Sequence, residues 1–271
     1  MCDAYTSFAE VYDLFMDNVP YDDWSRRIDL LLKEYLPRRS DQAPMVLDLG
    51  CGTGQITRRL RDMGYDMTGV DGSDEMLYIA RSKESDDSIL YICQDMRQLD
   101  LFGTYNAVVS VCDCMNYITD IDDLTEVFFR VNNFLDPGGL FVFDINTIYK
   151  YENELSDNTF AENREEGSFI WENSYDRAER MNYYELTLYI RKDKDSYSRF
   201  FEEHIQRAYS QEEIVSALEK AGLMLIEVLD TDSGLAVRPD SEKITFVARE
   251  YMKDPLRPGF YKDGTRQKGL L

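Results

Sequence analysis

Three glycines in the segment VLDLGCGTGQITRRL could bring the backbone close to a bound molecule. Gly50, Gly52 and Gly54 lie between an apolar run that begins at Met45 and a stretch with apolar residues at helical spacing. A strand that turns sharply into a helix needs glycine there, because a Cβ would intrude on the molecule. The amino end of the following helix also points its N–H groups at the same place. The pattern therefore predicts a ligand-binding strand-turn-helix unit.

The spacing of these glycines argues against a dinucleotide pyrophosphate. The dinucleotide fingerprint is GxGxxG, whereas the third glycine here comes one residue earlier and Gln55 takes the remaining position. Two carboxylates accompany the turn: Asp48 precedes it, and Asp71 ends the next apolar run, 21 residues after Gly50. At that distance an acidic side chain can accept both hydroxyls of a ribose. A helix cap or turn residue in GVDGSD is the alternative interpretation of Asp71.

The string DLGCGTG resembles motif I of the class I S-adenosylmethionine (SAM)-dependent methyltransferases, and the similarity continues along most of the chain. YICQDM, VSVCDCMNYI and LDPGGLFVFDIN resemble the third-, fourth- and fifth-strand motifs of that family. The resemblance implies SAM as cofactor and S-adenosylhomocysteine as product. The implied cofactor contacts are Tyr12, Asp48, Gly50, Cys51, Gly52, Thr53, Gly54, Asp71, Gly72, Met76, Asp95, Met96 and Cys112.

The same resemblance implies which part of the cofactor each residue contacts. Asp48 helps to hold the methionyl amino group, the glycine turn lies along the methionyl part and ribose, and Asp71 binds the ribose. Asp95 and Met96 contact the adenine, Met76 packs on it, and the backbone at Cys112 runs beside the sulfonium. We interpret Cys112 and its neighbour in the CxC pair as plain buried thiols.

Two further segments, SFAEVYDLFM and EEHIQRAYSQEEI, are similar to a bacterial branch that acts on small molecules and includes sugar N-methyltransferases and glycine N-methyltransferase. In that branch an N-terminal aromatic segment closes over SAM. The resemblance therefore implies that Tyr5 and Tyr12 contact the cofactor. Packing in the core is an equal explanation for both.

Transfer of a methyl group from a sulfonium is an in-line displacement, so the protein mainly aligns the acceptor and excludes water. A positioned base can assist an amine or hydroxyl that must lose a proton. The position after the fourth strand faces the methyl group in related enzymes, which makes Asn116 and Tyr117 candidate acceptor contacts. Tyr117 and the only histidine, His204, are the candidate catalytic residues. On its strand His204 would share a face with Phe200, Glu202 and Gln206, so a solvated strand residue is the alternative for His204. Trp171 is a further candidate acceptor contact.

The chain that positions these residues alternates short apolar runs with amphipathic stretches from Met45 to about Ile145, which is typical of βα units in a parallel sheet. We predict an α/β fold that is doubly wound and Rossmann-like, with a mostly parallel seven-stranded sheet and an inserted small antiparallel β-sheet. The predicted divisions are a SAM-binding core of 1–148 and 210–252 that begins with a helical cover, an inserted β cover of 149–209, and an irregular tail of 253–271.

Individual elements follow from local patterns. Apolar residues from Leu124 to Leu135 predict a helix that Pro137 and the next two glycines end. Ser210 with Glu213 predicts a capping box for a helix over 212–221. In the insertion, alternation around Tyr184 predicts a strand with two unlike faces, and SFIWENSY and RFFEEHIQRAY predict two more. The aromatic residues of this sheet suit an acceptor pocket or a homodimer surface equally.

Composition limits the partners. With 30 Lys and Arg against 52 Asp and Glu, the net charge is −22, which repels a nucleic-acid backbone. Five cysteines and one histidine predict reduced thiols and no metal site. The first residues lack a basic segment leading into an apolar run, and no apolar stretch reaches membrane-spanning length. We expect a cytoplasmic protein with a small-molecule acceptor and without a nucleic-acid or membrane partner.

Three hypotheses of function follow. The first is a SAM-dependent methyltransferase that acts on a nitrogen or oxygen, rather than a carbon, of a small molecule. The second is an NAD-type oxidoreductase, which the glycine spacing disfavours. The third is a noncatalytic module that binds SAM.

Overall fold

The computed structural model describes residues 12–37, 42–86, 88–194 and 196–253. In chain order the helices and strands are α1 (Tyr12–Phe15), α2 (Tyr21–Tyr35), β1 (Met45–Leu49), α3 (Gln55–Asp62), β2 (Asp66–Asp71), α4 (Asp74–Ser82), β3 (Leu90–Cys93), β4 (Tyr105–Ser110), α5 (Ile121–Phe134), β5 (Leu135–Asn146), β6 (Thr159–Asn163), β7 (Gly167–Asp176), β8 (Met181–Arg191), β9 (Tyr197–Arg207), α6 (Gln211–Lys220), β10 (Leu223–Asp230) and β11 (Lys243–Glu250). Short 3₁₀ turns, Met96–Gln98 and Cys114–Tyr117, follow β3 and β4, and a π-helical turn, Lys150–Leu155, follows β5.

Seven strands form one sheet in the order β10-β11-β5-β4-β1-β2-β3. The pairs among β1 to β5 are parallel, whereas β11 pairs antiparallel with both β5 and β10. The prediction of a mostly parallel, seven-stranded sheet is therefore confirmed. Because parallel strands share a direction, the carboxyl ends of β1, β2, β3 and β4 meet at one edge, where ligands bind in folds of this kind.

Alternate strand residues enter two apolar layers on opposite faces of this sheet. Val46, Ala107 and Val142 pack in a layer with α2, α3 and α4, and their neighbours in sequence pack in a second layer with α5 and α6. Strands that are buried on both faces need helices on both sides, which is the doubly wound arrangement. The capping box of α6 is confirmed: Ser210 and Glu213 each bond to the other's backbone N–H.

The helix α5 ends before Pro137 as predicted, but the last residue of the predicted apolar stripe, Leu135, belongs to β5. The helix ends at Phe134, and β5 already begins at Leu135, so Pro137 and the glycine after it lie in the first part of the strand. Proline disfavours helical backbone for the residue before it, so the chain leaves the helix before Pro137 is reached. Gly138 has a φ of 73° and donates its N–H to the Glu250 carboxylate, which ties the start of β5 to β11.

The insertion forms a separate antiparallel sheet in the order β6-β7-β8-β9. The alternation predicted for β8 is confirmed, because Leu186, Leu188 and Ile190 are buried and pack with Phe15 of α1. The sheet has four strands rather than the predicted three. The additional strand, β6, has the sequence TFAEN, which is too short and polar to show a periodic pattern. All four strands lie within the predicted insertion 149–209, whereas most of the predicted tail lies outside the described residues.

Among the described residues, no helix is both long and apolar enough to cross a membrane. The same part of the chain contains no group of three or more His, Cys, Asp or Glu residues arranged to hold a metal ion.

Candidate functional site at the carboxyl edge of the sheet

The glycine turn between β1 and α3 is held in left-handed backbone. Gly50, Gly52 and Gly54 have φ values of 80°, 52° and 74°. A Cβ added to Gly50 would lie 2.6 Å from the Cys114 sulfur, and one added to Gly54 would lie 2.6 Å from the Tyr91 hydroxyl oxygen. A Cβ on Gly52 would have no described atom within 4 Å. Two of the glycines therefore lie against neighbouring side chains, whereas the third has open space on its side of the turn as far as the described residues extend.

Asp71 connects this turn to the end of β2. Its Oδ2 accepts the backbone N–H of Gly52 at 2.8 Å, and its Oδ1 accepts that of Ser73 at 2.9 Å. Burial raises the pKa of Asp71, although the backbone N–H groups around it oppose the shift. The carboxylate thus lies beside the open face of the turn, where the sequence predicts a ribose. Gly72, between Asp71 and Ser73, is exposed.

Asp48 lies below the turn and is buried, with 1% of its surface exposed. Its Oδ2 accepts the hydroxyl of Thr57 at 2.6 Å, which joins β1 to the first turn of α3. Burial raises the pKa of Asp48 to about 7, and the nearby charge of Asp71 acts in the same direction. A cationic group that approached this carboxylate would favour its ionised form.

The N-terminal helix α1 is fastened to the glycine turn through Asp13, a residue that sequence reasoning missed. Asp13 Oδ1 accepts the Thr53 hydroxyl at 2.7 Å and the Gln55 amide at 2.8 Å, and its Oδ2 pairs with Lys83. Nothing local in YDLF indicates such long-range contacts. Tyr12 on the same helix bonds to Tyr21. Tyr5 lies outside the described residues.

The predicted adenine contacts follow β2 and β3. Asp95 caps the 3₁₀ turn after β3 by accepting the Arg97 N–H at 2.9 Å, and its ion pair with the Arg97 guanidinium lowers its pKa. Met96 packs against the core beside Gly50. Met76 is only 2% exposed, so its side chain leaves little surface for an adenine ring. Its predicted contact with adenine gains no support from this position.

After β4 the backbone adopts left-handed φ values, and hydrogen bonds to a buried carboxylate stabilise it. Cys112 and Asp113 have φ values of 64° and 53°, and both donate their N–H groups to the Asp144 carboxylate, at 3.1 and 2.6 Å. Residues other than glycine need such support in left-handed backbone. Lys243 on β11 lies 2.7 Å from Asp113 Oδ1 and 4.0 Å from Asp144 Oδ1. Although burial alone would lower the pKa of Lys243, the two carboxylates raise it overall.

Cys112 and Cys114 are free thiols that are partly rather than fully buried. Burial raises the pKa of both Cys112 and Cys114, and the structure forms no disulfide at either residue. A thiol in this state is a poor nucleophile. The Cys114 thiol instead donates to the carbonyl oxygen of Val111 at 3.0 Å, which stabilises the turn.

Tyr117 and His204, the two predicted catalytic residues, are brought together although they lie 87 residues apart. The Tyr117 hydroxyl is 3.3 Å from His204 Nδ1 and 2.5 Å from the Tyr184 hydroxyl. His204 is 2% exposed, so its interpretation as a solvated strand residue is wrong. Its Nε2 lies 3.3 Å from the carboxylate of Glu202, a residue that the sequence placed on the same strand face but not in the site.

Trp171 borders this cluster, with its ring 5.1 Å from that of Tyr184. The indole N–H of Trp171 is buried and has no hydrogen-bond partner among the described residues. An unsatisfied buried donor costs about 1–3 kcal/mol, and such groups in native proteins call for an explanation. An acceptor group that bound beside Tyr184 would supply one.

Asn116 has a structural role instead of the predicted contact with the acceptor. Its side chain is fully buried, and its amide donates to the backbone oxygens of Asn146 at 3.3 Å and Arg207 at 2.8 Å. Its Oδ1 accepts the Asn146 N–H at 2.9 Å. Both amide hydrogens are thus used to join the ends of β5 and β9 to the turn before α5. The sequence places Asn116 after the fourth strand, but it does not show which way its side chain points.

Comparison with known proteins agrees with this geometry. A family model described as a methyltransferase domain matches residues 46–139. The chain is 35% identical over 248 residues to the Bacillus subtilis protein named "Putative methyltransferase YqeM", which covers 91% of this chain and 97% of that protein. It is 29% identical over 134 residues to the Streptomyces venezuelae dTDP-3-amino-3,4,6-trideoxy-alpha-D-glucopyranose N,N-dimethyltransferase, with 49% of this chain and 55% of that protein covered.

Solved structures of methyltransferases also superpose on this chain. A SAM-dependent methyltransferase from Clostridium acetobutylicum superposes with a TM-score of 0.80 at 33% identity, over 91% of this chain and 99% of that one. Streptomyces venezuelae DesVI superposes with a TM-score of 0.72 at 24% identity, over 89% and 97%. With the glycine turn and the seven-stranded sheet, these matches show that the chain belongs to the class I SAM-dependent methyltransferases.

Proposed function

We propose that this protein transfers the methyl group of SAM to a nitrogen or oxygen of a small-molecule acceptor. The observation that carries the proposal is the edge of the sheet where a Cβ on Gly52 would meet no described atom within 4 Å, directly beside the Asp71 carboxylate. A backbone that can be approached closely, next to a carboxylate at ribose distance, suits an adenosyl compound. When bound, SAM supplies a methyl group that its sulfonium already activates.

The residues at this edge fit the charges of SAM. Asp71 would accept the ribose hydroxyls, and the buried Asp48 carboxylate offers a counter-charge for the methionyl ammonium. Asp13 fastens α1 to the turn through Thr53 and Gln55. Gln55, where a pyrophosphate would require glycine, has its amide bonded to Asp13 and Arg59. These contacts favour SAM over a nicotinamide dinucleotide.

The acceptor would lie between the carboxyl edge of the first sheet and the inner face of the second. Tyr117 from the turn after β4 meets Tyr184 and His204 from the insertion there, and Trp171 packs against Tyr184, which forms a wall of aromatic and hydrogen-bonding groups. Sites with this mixture usually hold small molecules. The name of the N,N-dimethyltransferase relative describes an amino sugar as its substrate, which supports nitrogen as the acceptor atom.

Ligand-induced stabilisation tests the cofactor. Because only a molecule that binds the native state raises the melting temperature, SAM and S-adenosylhomocysteine should each raise it and NAD should not. At 100 times the dissociation constant the gain in stability is about 2.7 kcal/mol, which is several degrees for a protein of this size. Stabilisation by NAD alone would contradict the proposal.

Turnover tests the reaction itself. Release of S-adenosylhomocysteine should be detectable with at least one member of a panel of amines, hydroxy acids and sugars. Binding of SAM without product release across the whole panel would favour the noncatalytic module.

Asp48 should make the affinity for SAM depend on pH. Its pKa of about 7 lies above the roughly 3.9 of an unfolded chain, so the stability that its protonation contributes is present at low pH and lost as the pH rises through 7. The ammonium of SAM favours the ionised carboxylate, so the dissociation constant should fall by up to roughly tenfold per pH unit between about pH 5.5 and 7. Titration calorimetry across this range measures the slope. Asp48→Asn should flatten it, and an equal slope in that variant would refute the role.

A further inference from the structure

We propose that Tyr117, His204 and Glu202 form a proton relay that takes a proton from an amine acceptor. The inference rests on the methyl transfer proposed above and adds to it the acceptor class and the path of the proton. The three groups come from two parts of the chain: Tyr117 ends the turn after β4, and the other two lie on the edge strand β9 of the insertion.

The relay has a buried end and an accessible end. The His204 and Glu202 side chains are 0% and 3% exposed, and their Nε2 and Oε2 atoms are 3.3 Å apart. Tyr117 is only partly buried. The Tyr184 ring stacks on the imidazole with a centroid distance of 4.4 Å and an interplanar angle of 12°, which fixes the plane of His204. Tyr117 is therefore the member that can touch an acceptor.

The buried Glu202 carboxylate determines which nitrogen of the His204 imidazole carries the hydrogen. An ionised carboxylate can only accept hydrogen bonds, so Glu202 requires a hydrogen on His204 Nε2. A neutral imidazole carries only one N–H, which leaves Nδ1 as an acceptor towards the Tyr117 hydroxyl, 3.3 Å away. A carboxylate that fixes the tautomer of a histidine, which in turn accepts a hydroxyl proton, is the logic of hydrolase triads.

Proton and methyl transfer then balance. An acceptor ammonium gives one proton to the Tyr117 oxygen while the Tyr117 hydroxyl gives its own to His204 Nδ1, which produces an imidazolium beside the Glu202 carboxylate. The nitrogen lone pair forms a bond to the methyl carbon as the carbon–sulfur bond breaks. Its electron pair stays on the sulfur of S-adenosylhomocysteine, and the product leaves as a methylated ammonium.

Charge favours an amine over a neutral hydroxyl compound. Asp113 and Asp144 lie beside Lys243, and the Glu202 carboxylate lies beside His204 in the same part of the site. The chain as a whole carries a net charge of −22. Both features attract a cationic acceptor to this side of the site.

Nuclear magnetic resonance can test the tautomer without any acceptor. His204 is the only histidine, so untagged ¹⁵N-labelled protein gives one pair of imidazole nitrogen signals. At the high-pH end of the titration we expect Nε2 to be the protonated, pyrrole-type nitrogen and Nδ1 the bare, pyridine-type nitrogen. Protonation of Nδ1, or an imidazole that stays charged throughout, would overturn the relay because Nδ1 could not accept the Tyr117 proton.

Tyr117→Phe serves as the matched control in the same spectrum. Loss of the hydroxyl should move the Nδ1 signal and leave the Nε2 signal almost unchanged. A change in SAM-induced stabilisation in this variant would indicate a wider disturbance of the site. If the wild-type protein shows the expected tautomer but does not bind SAM, the proposed function is wrong and the local hydrogen-bond order still stands.

Kinetics test the acceptor class and the positioning role of Glu202. With an amine that supports turnover, Glu202→Gln should lower kcat by about 10²-fold and leave the dissociation constant for SAM unchanged, since positioned acid–base groups typically contribute 10²–10⁴-fold. The dependence of kcat on pH should flatten in the same variant. Turnover with hydroxyl acceptors alone, or an unaltered pH profile, would contradict the inference.

Discussion

Asp71→Ala is expected to weaken the binding of SAM by at least about 100-fold. Each hydrogen bond between a charged group and a ligand hydroxyl contributes about 1.5–3 kcal/mol, and loss of two such bonds exceeds the 2.7 kcal/mol that a 100-fold change represents. The variant also loses the bond from Gly52 N–H, at 2.8 Å, which holds the open part of the glycine turn in place. Asp71→Ala therefore removes both the proposed contact with the cofactor and a hydrogen bond that holds the glycine turn.

Titration calorimetry with SAM measures this change, and Asp66→Ala is its matched control. Asp66 lies at the opposite end of β2 and is exposed, so its removal should leave the affinity for SAM unaltered. Asp71→Asn keeps the size of the side chain but offers one acceptor oxygen instead of two, so its affinity should fall between those of alanine and wild type. If Asp71→Ala binds SAM as tightly as the wild-type protein, Asp71 does not hold the cofactor.

Asp71 and the glycines could be predicted because their signal is local. A strand, a turn that needs positive φ, and a helix leave a short pattern in the chain, and parallel strands place the next carboxylate at the same edge. The seven-stranded sheet was predictable for a related reason, since each βα unit has its own apolar period. In both cases the structure depends on residues that are near each other in the chain.

The parts of the site that were missed depend on distant contacts. Asp13 meets Thr53 across 40 residues, and Lys243 meets Asp113 across 130. The strand period predicted that His204 shares a face with Glu202, but a period of two does not say which face is buried. Only the packing of the insertion against the first sheet decides that.

Lys243→Met should give the largest loss of stability among single substitutions in this polar cluster. Removal of one partner of a buried ion pair leaves an uncompensated charge and typically costs about 3–5 kcal/mol. Here two carboxylates, Asp113 and Asp144, lose their counter-charge, and burial already raises the pKa of Asp144. Urea unfolding should show the loss as a lower midpoint with an unaltered slope.

An exposed pair of equal length provides the control. Lys33 Nζ lies 2.7 Å from Asp29 Oδ2, the same separation as in the Lys243–Asp113 pair, but its side chain is 64% exposed, compared with 7% for Lys243. Exposed pairs contribute about 0–1 kcal/mol, so Lys33→Met should change stability little. Similar losses in both variants would mean that burial does not determine the energy of the Lys243 cluster.

A second substitution separates lost charge from lost packing. In Lys243→Met combined with Asp113→Asn, one of the two carboxylates that lost their counter-charge is replaced by a neutral amide. Asp144 still accepts the backbone N–H groups of residues 112 and 113 in the turn after β4. We expect the double variant to recover roughly 0.5–3 kcal/mol of the loss, the range of coupling between residues in contact. This turn carries the backbone proposed to run beside the sulfonium. We therefore expect Lys243→Met to weaken SAM binding as well, and the double variant to regain affinity together with stability. Recovery of neither would show that Lys243 acts through packing on Trp24, whose ring lies 5.1 Å from its ammonium, rather than through the carboxylates.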